Sequence, residues 1–258
     1  MSEDKCVQPL LEIKGLGISF GGLQAVKDVH FDVYERQLLS IIGPNGAGKT
    51  TLFNLLTGHL KPNTGHVIFD GKNITGKSPD QISRMHIGRS FQKTSLFPRI
   101  SVYENIQVAI LTSRGKSLNL FSPARDMYRE EVYQVLETVG LKENVNSIAG
   151  SLPHGAQRRL EIGITLASRP RVVLLDEPAA GLSPEETESL TQLIQMLARD
   201  QQLTIVFIEH DVGVVISISE KIMVLHHGEL IANDVPSEIV KNKEVQRVYL
   251  GEESIWNS

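Results

Sequence analysis

The chain has 258 residues, of which 41% are hydrophobic, and its 26 Lys and Arg against 30 Asp and Glu give a net charge of −4. This composition is typical of a globular protein and excludes a mainly disordered chain, and the acidic balance disfavours a dedicated nucleic-acid binder. The single Cys6 excludes an intramolecular disulfide and a multi-cysteine metal site. No apolar run is long enough to cross a membrane and no signal-peptide pattern is visible, so we expect a cytoplasmic protein.

The first quarter of the chain is predicted to be rich in β-structure. Strand-like alternation covers residues 10–20 and 29–34, and the apolar run at 38–42 is typical of a buried strand. A glycine-rich segment follows, then a predicted helix over 51–57 and another strand at 66–70. The order is therefore strand, glycine-rich loop, helix.

The remainder of the chain has two textures. Residues 93–168 show helical spacing, with helices predicted over 125–139 and 157–167. Strands and helices then alternate, with strands at 172–175, 204–208 and 222–226 and helices at 184–199, 212–219 and 237–242. This alternation indicates a mainly parallel α/β sheet. We predict three parts: residues 1–92 with the β-rich part and glycine-rich loop, 93–168 as a helical subdomain, and 169–258 as the rest of the core.

The eight residues 43–50, GPNGAGKT, match the phosphate-binding pattern G-x-x-x-x-G-K-[ST] without a departure. Its glycines let backbone N–H groups point at phosphate oxygens, and the helix N-terminus adds partial positive charge. Lys49 is predicted to reach the β- and γ-phosphates, and Thr50 to bind Mg²⁺. A strand before and a helix after the loop disfavour an ordinary glycine turn. The predicted nucleotide contacts in this loop are Asn45, Gly46, Ala47, Gly48, Lys49, Thr50 and Thr51.

The run RVVLLDE at 171–177 indicates a buried strand that ends in two acids. An NTPase holds its Mg²⁺-linked carboxylate in this way, which fits Asp176, and Glu177 is then placed to act as general base on an attacking water. An acidic strand end alone is a weak signal, and the phosphate loop makes it strong. The long interval between Lys49 and Asp176 disfavours a small P-loop kinase or GTPase, and no N-K-x-D motif for guanine is present.

Three further motifs complete a pattern that resembles the ATPase subunits of ABC transporters over about residues 10–251. They are Arg89-Ser90-Phe91-Gln92, Glu209-His210-Asp211, and Phe20-Gly21 followed by Ala25-Val26. The resemblance implies that Gln92 contacts Mg²⁺ and senses a membrane partner, that His210 contacts the γ-phosphate, and that Phe20 and Val26 bind the adenine. Taken singly, each residue has an ordinary structural explanation, such as polar surface or core packing.

Within this family the sequence is most similar to the branched-chain, or hydrophobic, amino-acid uptake ATPases. The motifs that carry this similarity are FGGLQAV at 20–26, RSFQ at 89–92, QRRLEI at 157–162, DEPAAGL at 176–182, EHD at 209–211 and YLG at 249–251. Urea or amide importers and the lipopolysaccharide-export ATPase share much of this pattern and stay as alternatives. A soluble, non-transport ABC ATPase is disfavoured, because the chain has neither a coiled-coil insertion nor a second ATPase unit.

The resemblance implies an α/β P-loop NTPase fold with a mainly parallel sheet core, an N-terminal antiparallel β part and an inserted helical subdomain. It implies ATP and Mg²⁺ as cofactors, with Thr50, Gln92 and Asp176 on the metal and Glu177, His210, Lys49 and Gln92 in catalysis. The implied partners are membrane-spanning permease subunits, a second ATPase subunit and, indirectly, a solute-binding protein, with no nucleic acid. The implied place is the cytoplasmic face of the cell's inner membrane, with Leu96, Phe97, Pro98 and Ile100 receiving a short helix of the permease unless they pack in the core.

The chain departs from the family's signature loop, L-S-G-G-Q, where it has Leu152-Pro153-His154-Gly155-Ala156. In the family the serine hydroxyl and nearby N–H groups bind the γ-phosphate held by the opposite subunit. Pro153 has neither group and His154 adds bulk, while Gly155 and the helix N-terminus keep some attraction for an anion. We therefore expect a heterodimer with a second ATPase, with a homodimer as the alternative. A structural interpretation has Ser151 capping the helix and Pro153 in its first turn. Ser183 also replaces a usual aspartate, which is expected to alter communication between the two sites.

Overall fold

One sheet is antiparallel and is formed by strands near the N-terminal end of the chain. The computed structural model describes residues 8–90, 96–114 and 127–249. This sheet contains β1 (Leu11–Phe20), β2 (Leu23–Val33), β4 (Thr64–Phe69) and β5 (Lys72–Asn73), in the order β2-β1-β4-β5. Strands β1 and β2 form a hairpin whose register ends with Phe20 opposite Leu23. The hairpin tip therefore carries an exposed aromatic residue.

Within the described residues, the second sheet has six strands in the order β10-β9-β3-β8-β7-β6. They are β3 (Leu38–Ile42), β6 (Ile87–Ser90), β7 (Val172–Asp176), β8 (Thr204–Ile208), β9 (Lys221–His226) and β10 (Glu229–Asp234). Neighbours from β9 to β6 are parallel, and β10 returns antiparallel to β9. Every residue of β3, β7 and β8 is buried, as expected for parallel strands covered on both faces. The mainly parallel core and the antiparallel N-terminal part predicted above are confirmed.

Helices cover both faces of this sheet. They are α1 (Lys49–Leu56), α2 (Pro79–Ser83), α3 (Val102–Ser113), α4 (Arg129–Thr138), α5 (His154–Leu166), α6 (Pro184–Arg199), α7 (Val212–Ile218), α8 (Pro236–Lys241) and α9 (Lys243–Tyr249). Between β6 and β7 the described elements are α3, α4, α5 and the 3₁₀ turns Lys142–Asn144 and Ala149–Ser151, which form the inserted helical part. In the described part of the chain, no helix combines the length and the hydrophobicity that a membrane crossing requires.

The parallel sheet separates two hydrophobic cores. In β7, Val173 and Leu175 pack with the helices of the insert and with α6 and α7, whereas Val172 and Leu174 pack on the opposite side with α1 and the N-terminal sheet. Because successive side chains of a strand point to opposite faces, one apolar strand serves both cores. The carboxyl ends of β3 and β7 lie one strand apart, on either side of β8, which is where open α/β sheets bind ligands.

The structural interpretation in which Ser151 caps the helix and Pro153 lies in its first turn is wrong, and the helix predicted over 157–167 extends over His154–Leu166. Pro153 occupies the N-cap position, and α5 begins at His154. Ser151 instead ends a 3₁₀ turn, where its Oγ donates to the carbonyl oxygen of Ile148 at 2.8 Å. Leu152 is extended between the two elements, so the serine lies too early in the chain to cap the helix.

Candidate nucleotide-binding site

A cavity of about 670 Å³ opens beyond the carboxyl end of β3. The phosphate loop forms one wall, and the tip of the β1–β2 hairpin forms another. Glu177 and His210 reach it from the ends of β7 and β8. The residues predicted for phosphate binding that line it are Asn45, Gly46, Ala47, Gly48, Lys49, Thr50 and Thr51. The fold therefore brings together predicted site residues from four segments of the chain: the hairpin tip, the phosphate loop, the end of β7 and the end of β8.

The phosphate loop presents backbone N–H groups because Gly48 allows a sharp turn. Its φ of 101° is in the left-handed region, and a Cβ at this position would lie 2.4 Å from the carbonyl oxygen of Ala25. Gly48 is also the N-cap of α1 and provides no side-chain cap, so the N–H groups of the first turn face the cavity without a side-chain acceptor from the cap. An anion such as a phosphate fits this arrangement.

Lys49 is buried beneath the loop. Its Nζ donates to the carbonyl oxygens of Gly43 at 2.6 Å and Pro44 at 3.1 Å. Burial lowers the pKa of Lys49, and the nearby charges of Glu177 and Asp176 oppose that shift. The loop carbonyls hold the ammonium at the cavity wall, ready to pair with an anionic ligand.

Asp176 ends β7 and is fully buried. Its Oδ2 accepts from Arg89 Nη2 at 2.8 Å, whereas its Oδ1 has no hydrogen-bond partner among the described residues. Burial raises the pKa of Asp176, and the hydrogen bond and charge of Arg89 act against that rise. A buried carboxylate oxygen without a donor is a natural ligand for a hard cation. Thr50 lines the cavity and Asp176 does not, but a hydroxyl and an unpartnered carboxylate oxygen are donor types that fit Mg²⁺.

Glu177 and His210 form a pair at the mouth of the cavity. His210 Nε2 lies 2.9 Å from Glu177 Oε1. Glu177 has a φ of 51°, an uncommon value for a non-glycine residue, and its N–H donates to the Ile208 carbonyl oxygen at 3.0 Å. This bond fixes the chain just where it leaves β7. The carboxylate therefore points into the cavity rather than back along the sheet.

Sequence reasoning assigned no separate role to Glu209. Its side chain is buried, and its two oxygens accept the N–H groups of Ala179 at 2.8 Å and His210 at 3.2 Å. Burial raises the pKa of Glu209, and these two N–H donors oppose the rise. An acid directly after the apolar run of β8 was the available signal. The carboxylate ties the segment after Glu177 to the segment that carries His210.

At the hairpin tip, the structure agrees with one of the two predicted adenine contacts and contradicts the other. Phe20 is 48% exposed and lines the cavity, as an aromatic platform for a base requires. Val26 does not line the cavity, because it pairs with Ile18 in the hairpin and its side chain is fully buried in the core. Its neighbour Ala25 lines the cavity instead. The strand alternation that buries Val26 turns the next residue outward.

Gln92 lies outside the described residues, as does Phe91 of the same motif. The segment that follows was predicted either to receive a helix of the permease or to pack in the core, and its residues differ in this respect. Leu96 is buried in the core, whereas Phe97 is 55% exposed. The side chain of Asn105 holds the Phe97 backbone, accepting from its N–H at 2.7 Å and donating to its carbonyl oxygen at 3.1 Å. The exposed ring is therefore held on a fixed backbone.

Pro153, His154 and Gly155 do not line the cavity of their own chain. They lie at the N-terminus of α5, beside the segment that precedes α6. His154 Nδ1 lies 3.3 Å from the carbonyl oxygen of Gly181, and the Gly155 N–H donates to Glu186 Oε1 at 2.9 Å. The Gly155 N–H group, which is predicted to meet a phosphate held by the partner subunit, thus donates to Glu186 of the same chain.

Comparison with known proteins decides the family. The family model "ABC transporter" matches residues 26–180. The chain belongs to the ABC transporter family. It is 42% identical over 252 residues to the high-affinity branched-chain amino acid transport ATP-binding protein LivG of Escherichia coli K12, an alignment that covers 95% of this chain and 99% of LivG.

Solved structures agree with this assignment. The ADP conformation of MJ1267, an ATP-binding cassette of an ABC transporter, has a TM-score of 0.84 and 28% identity, covering 95% of this chain and 100% of that one. The dimeric post-hydrolysis structure of the cassette MJ0796 with ADP and phosphate has a TM-score of 0.73 and 27% identity, covering 88% and 98%. The chain is therefore an ATP-hydrolysing, nucleotide-binding subunit, and the kinase and GTPase alternatives are excluded.

Proposed function

We propose that this chain is the ATPase subunit of an importer for branched-chain or related amino acids. Its similarity to LivG along almost the whole of both chains carries the proposal. The cavity supports it, because the phosphate loop, Glu177 and His210 stand around one space large enough for a nucleotide. In this proposal the chain works at the cytoplasmic face of the membrane with permease subunits. A solute-binding protein delivers the amino acid to those subunits.

The geometry of the cavity supports a binding step in which both ends of the nucleotide are held. The adenine stacks on Phe20, which stands exposed at the hairpin tip, and the phosphates meet the N–H groups of the loop at 43–50. Lys49 pairs with the terminal phosphates, and Thr50, Asp176 and, by the family resemblance, Gln92 would hold Mg²⁺. When bound, Mg²⁺ neutralises phosphate charge that develops during transfer.

Hydrolysis needs a base and an orienting group, and the chain offers both at the mouth of the cavity. Glu177 Oε1 accepts the proton of the attacking water, because a carboxylate on the cavity wall can reach a water beside the terminal phosphate. His210 Nε2 lies 2.9 Å from this oxygen and orients it, and His210 contacts the γ-phosphate when the nucleotide is bound. Glu209 holds the backbone of His210, which keeps the pair in register.

We propose further that the working unit is a heterodimer with a second ATPase subunit. Pro153 and His154 weaken this chain's contribution to the opposite site, whereas its own cavity keeps Lys49 and Glu177, and Asp176 is kept at the end of β7. Family members close as dimers, as the MJ0796 structure illustrates. Light scattering of Glu177→Gln with and without ATP tests this. A monomer that binds ATP supports a different partner, and an ATP-dependent dimer of the chain alone contradicts the heterodimer.

Transport by cells tests the proposed solute. We expect deletion of the chain in its host to abolish uptake of labelled leucine, isoleucine and valine, and the wild-type chain to restore it. Lys49→Ala should not restore uptake, because the buried ammonium at the loop is lost. Arg171→Ala, which removes the ion pairs with Glu35 and Asp70 just before β7 begins, is the matched control and should restore uptake. Loss of urea uptake with normal leucine uptake would support the urea-importer alternative instead.

A further inference from the structure

Arg89 joins three elements of the core through one guanidinium group. It lies in β6, and its Nη2 donates to Asp176 Oδ2 at 2.8 Å at the end of β7. Its Nη1 donates to Asn54 Oδ1 at 2.7 Å and to Thr57 Oγ1 at 3.0 Å on the helix side. The guanidinium also lies over the ring of Phe53, with 5.8 Å from its carbon to the ring centroid. The arginine is thus anchored to α1 independently of its contact with Asp176.

These anchors lie on the helix that carries a proposed magnesium ligand. Asn54 follows Thr50 by four residues in α1, so the two side chains share one face of the helix. Asp176, the other described magnesium ligand of the proposed site, comes from a different element, β7. Arg89 Nη1 and Nη2 therefore span from the Thr50 face of α1 to the end of β7. The planar guanidinium fork fixes the relative direction of these two bonds.

The two oxygens of the Asp176 carboxylate differ in their contacts. Oδ2 accepts a hydrogen bond from Arg89, and Oδ1 has no partner among the described residues. The side chain of Asp176 is fully buried, so it has little room to choose another rotamer once Oδ2 is held. One oxygen is thereby used for orientation and the other is left for a cation.

We propose that Arg89 is a positioning residue that sets the spacing and orientation of the magnesium ligands Thr50 and Asp176. This inference rests on the proposed function, because it assumes that the cavity binds nucleotide with Mg²⁺. Partners that orient metal ligands from outside the coordination shell are worth roughly 10–100-fold in metal affinity. A purely structural ion pair between Arg89 and Asp176 would instead stabilise the fold with no particular effect on the metal.

Equilibrium binding of a fluorescent ADP analogue separates the two roles without any hydrolysis. Affinity is measured in EDTA and across a titration of free Mg²⁺, for wild type, Arg89→Ala, Arg89→Lys and Asn54→Ala. Thermal unfolding of each variant is recorded alongside. Arg171→Ala is the matched control, because it also removes a guanidinium that forms ion pairs, with Glu35 and Asp70, at the opposite end of β7.

We expect Arg89→Ala to raise the free Mg²⁺ needed for half of the metal-dependent gain in affinity by about tenfold or more, with unchanged affinity in EDTA. Arg89→Lys should restore thermal stability but not the metal response, since one ammonium cannot reproduce the two-sided fork. Asn54→Ala should shift the metal response in the same direction, and Arg171→Ala should not shift it.

An unshifted metal response in Arg89→Ala and Arg89→Lys would overturn the inference, as would a loss of affinity that is equal in EDTA and Mg²⁺. If Arg89→Ala does not fold, the metal responses of Arg89→Lys and Asn54→Ala decide in the same way. A wild-type chain that binds no nucleotide overturns the proposed function itself. A wild-type chain with a normal metal response and unaffected variants overturns the role of Arg89 alone.

Discussion

The imidazole of His210 and the carboxylate of Glu177 meet at 2.9 Å. The two residues leave neighbouring strands, because Asp176 of β7 pairs with Ile208 of β8 and each chain then turns toward the cavity. The strand pairing of the parallel sheet thus sets the distance between the proposed base and the group that orients it. A shift of one residue in this register would separate them.

We predict that Glu177→Gln binds ATP but hydrolyses it at least about 100-fold more slowly, because the amide cannot accept the water proton. Phosphate release and equilibrium ATP binding measure the two quantities. Glu185→Gln, an exposed acid in the first turn of α6, is the control and should leave both unchanged. Near-normal turnover of Glu177→Gln would remove this residue as the general base.

Glu209→Ala should lower both the stability and the activity of the chain. It leaves the N–H groups of Ala179 and His210 without their carboxylate acceptor, and an unsatisfied buried donor costs about 1–3 kcal/mol. Urea unfolding measures the first effect, and ATP turnover measures the second. Glu220→Ala, an exposed acid after α7, serves as control. A Glu209→Ala chain with wild-type stability would show that the two segments hold their positions without the carboxylate.

Elements with strong local signals were predictable from the sequence. Apolar runs at Leu38–Ile42 and Thr204–Ile208 and the amphipathic pattern of Pro184–Arg199 have the predicted bounds. Strand β6, with the sequence IGRS, was missed, because a short strand with a glycine and an arginine depends on its neighbours for burial. Helix α3 was missed although its capping box, with Ser101 and Glu104, is visible in the sequence.

The candidate site divides in the same way. A contiguous motif such as the phosphate loop can be predicted from the sequence, since its residues contact the ligand from one turn. The tie between Arg89 and Asn54, or between Glu209 and Ala179, joins residues distant in sequence, and only the packing of strands brings them together. The predicted contact of Val26 fails for a local reason. Successive side chains of a strand point to opposite faces, so Ala25 faces the cavity and Val26 faces the core.

Glu186 connects the N-termini of two helices. Its Oε1 accepts from Gly155 of α5 at 2.9 Å, and its Oε2 accepts from Ser183, the N-cap of α6, at 3.1 Å. These two backbone donors lower the pKa of Glu186, and the Gly155 N–H group has the larger effect. The carboxylate is therefore anionic at neutral pH. A phosphate held by a partner subunit would need the same Gly155 N–H group.

We therefore predict that Glu186→Ala favours ATP-dependent association. In the Glu177→Gln background, the chain should associate with itself or with its partner ATPase at a lower protein concentration, as measured by light scattering. Glu185→Ala removes a neighbouring acid that does not contact Gly155 and is the matched control. Weaker association of the Glu186→Ala chain would indicate that Glu186 prepares the Gly155 N–H group for the phosphate rather than competing for it.

Asp32 supplies a pH-dependent prediction that is independent of nucleotide. It lies opposite Glu12 in the β1–β2 pair, and burial followed by the charge of Glu12 raises the pKa of Asp32 above its usual 3.8, against smaller opposing effects of Lys14 and Lys221. The folded chain therefore holds this proton to a higher pH than the unfolded chain does. Its stability should fall as pH rises from about 3.8 through the folded-state pKa.

Asp32→Asn removes this titration, because the amide carries no charge in either state. The variant should be more stable than wild type at pH 7 by roughly 0.2–1 kcal/mol, the usual range for cross-strand pairs, and the difference should shrink toward acid pH. Urea unfolding across a pH series measures it, with Asp80→Asn on the exposed first turn of α2 as control. A variant less stable than wild type at pH 7 would show that Asp32 gains more from Lys14 and Lys221 than it loses to Glu12 and burial.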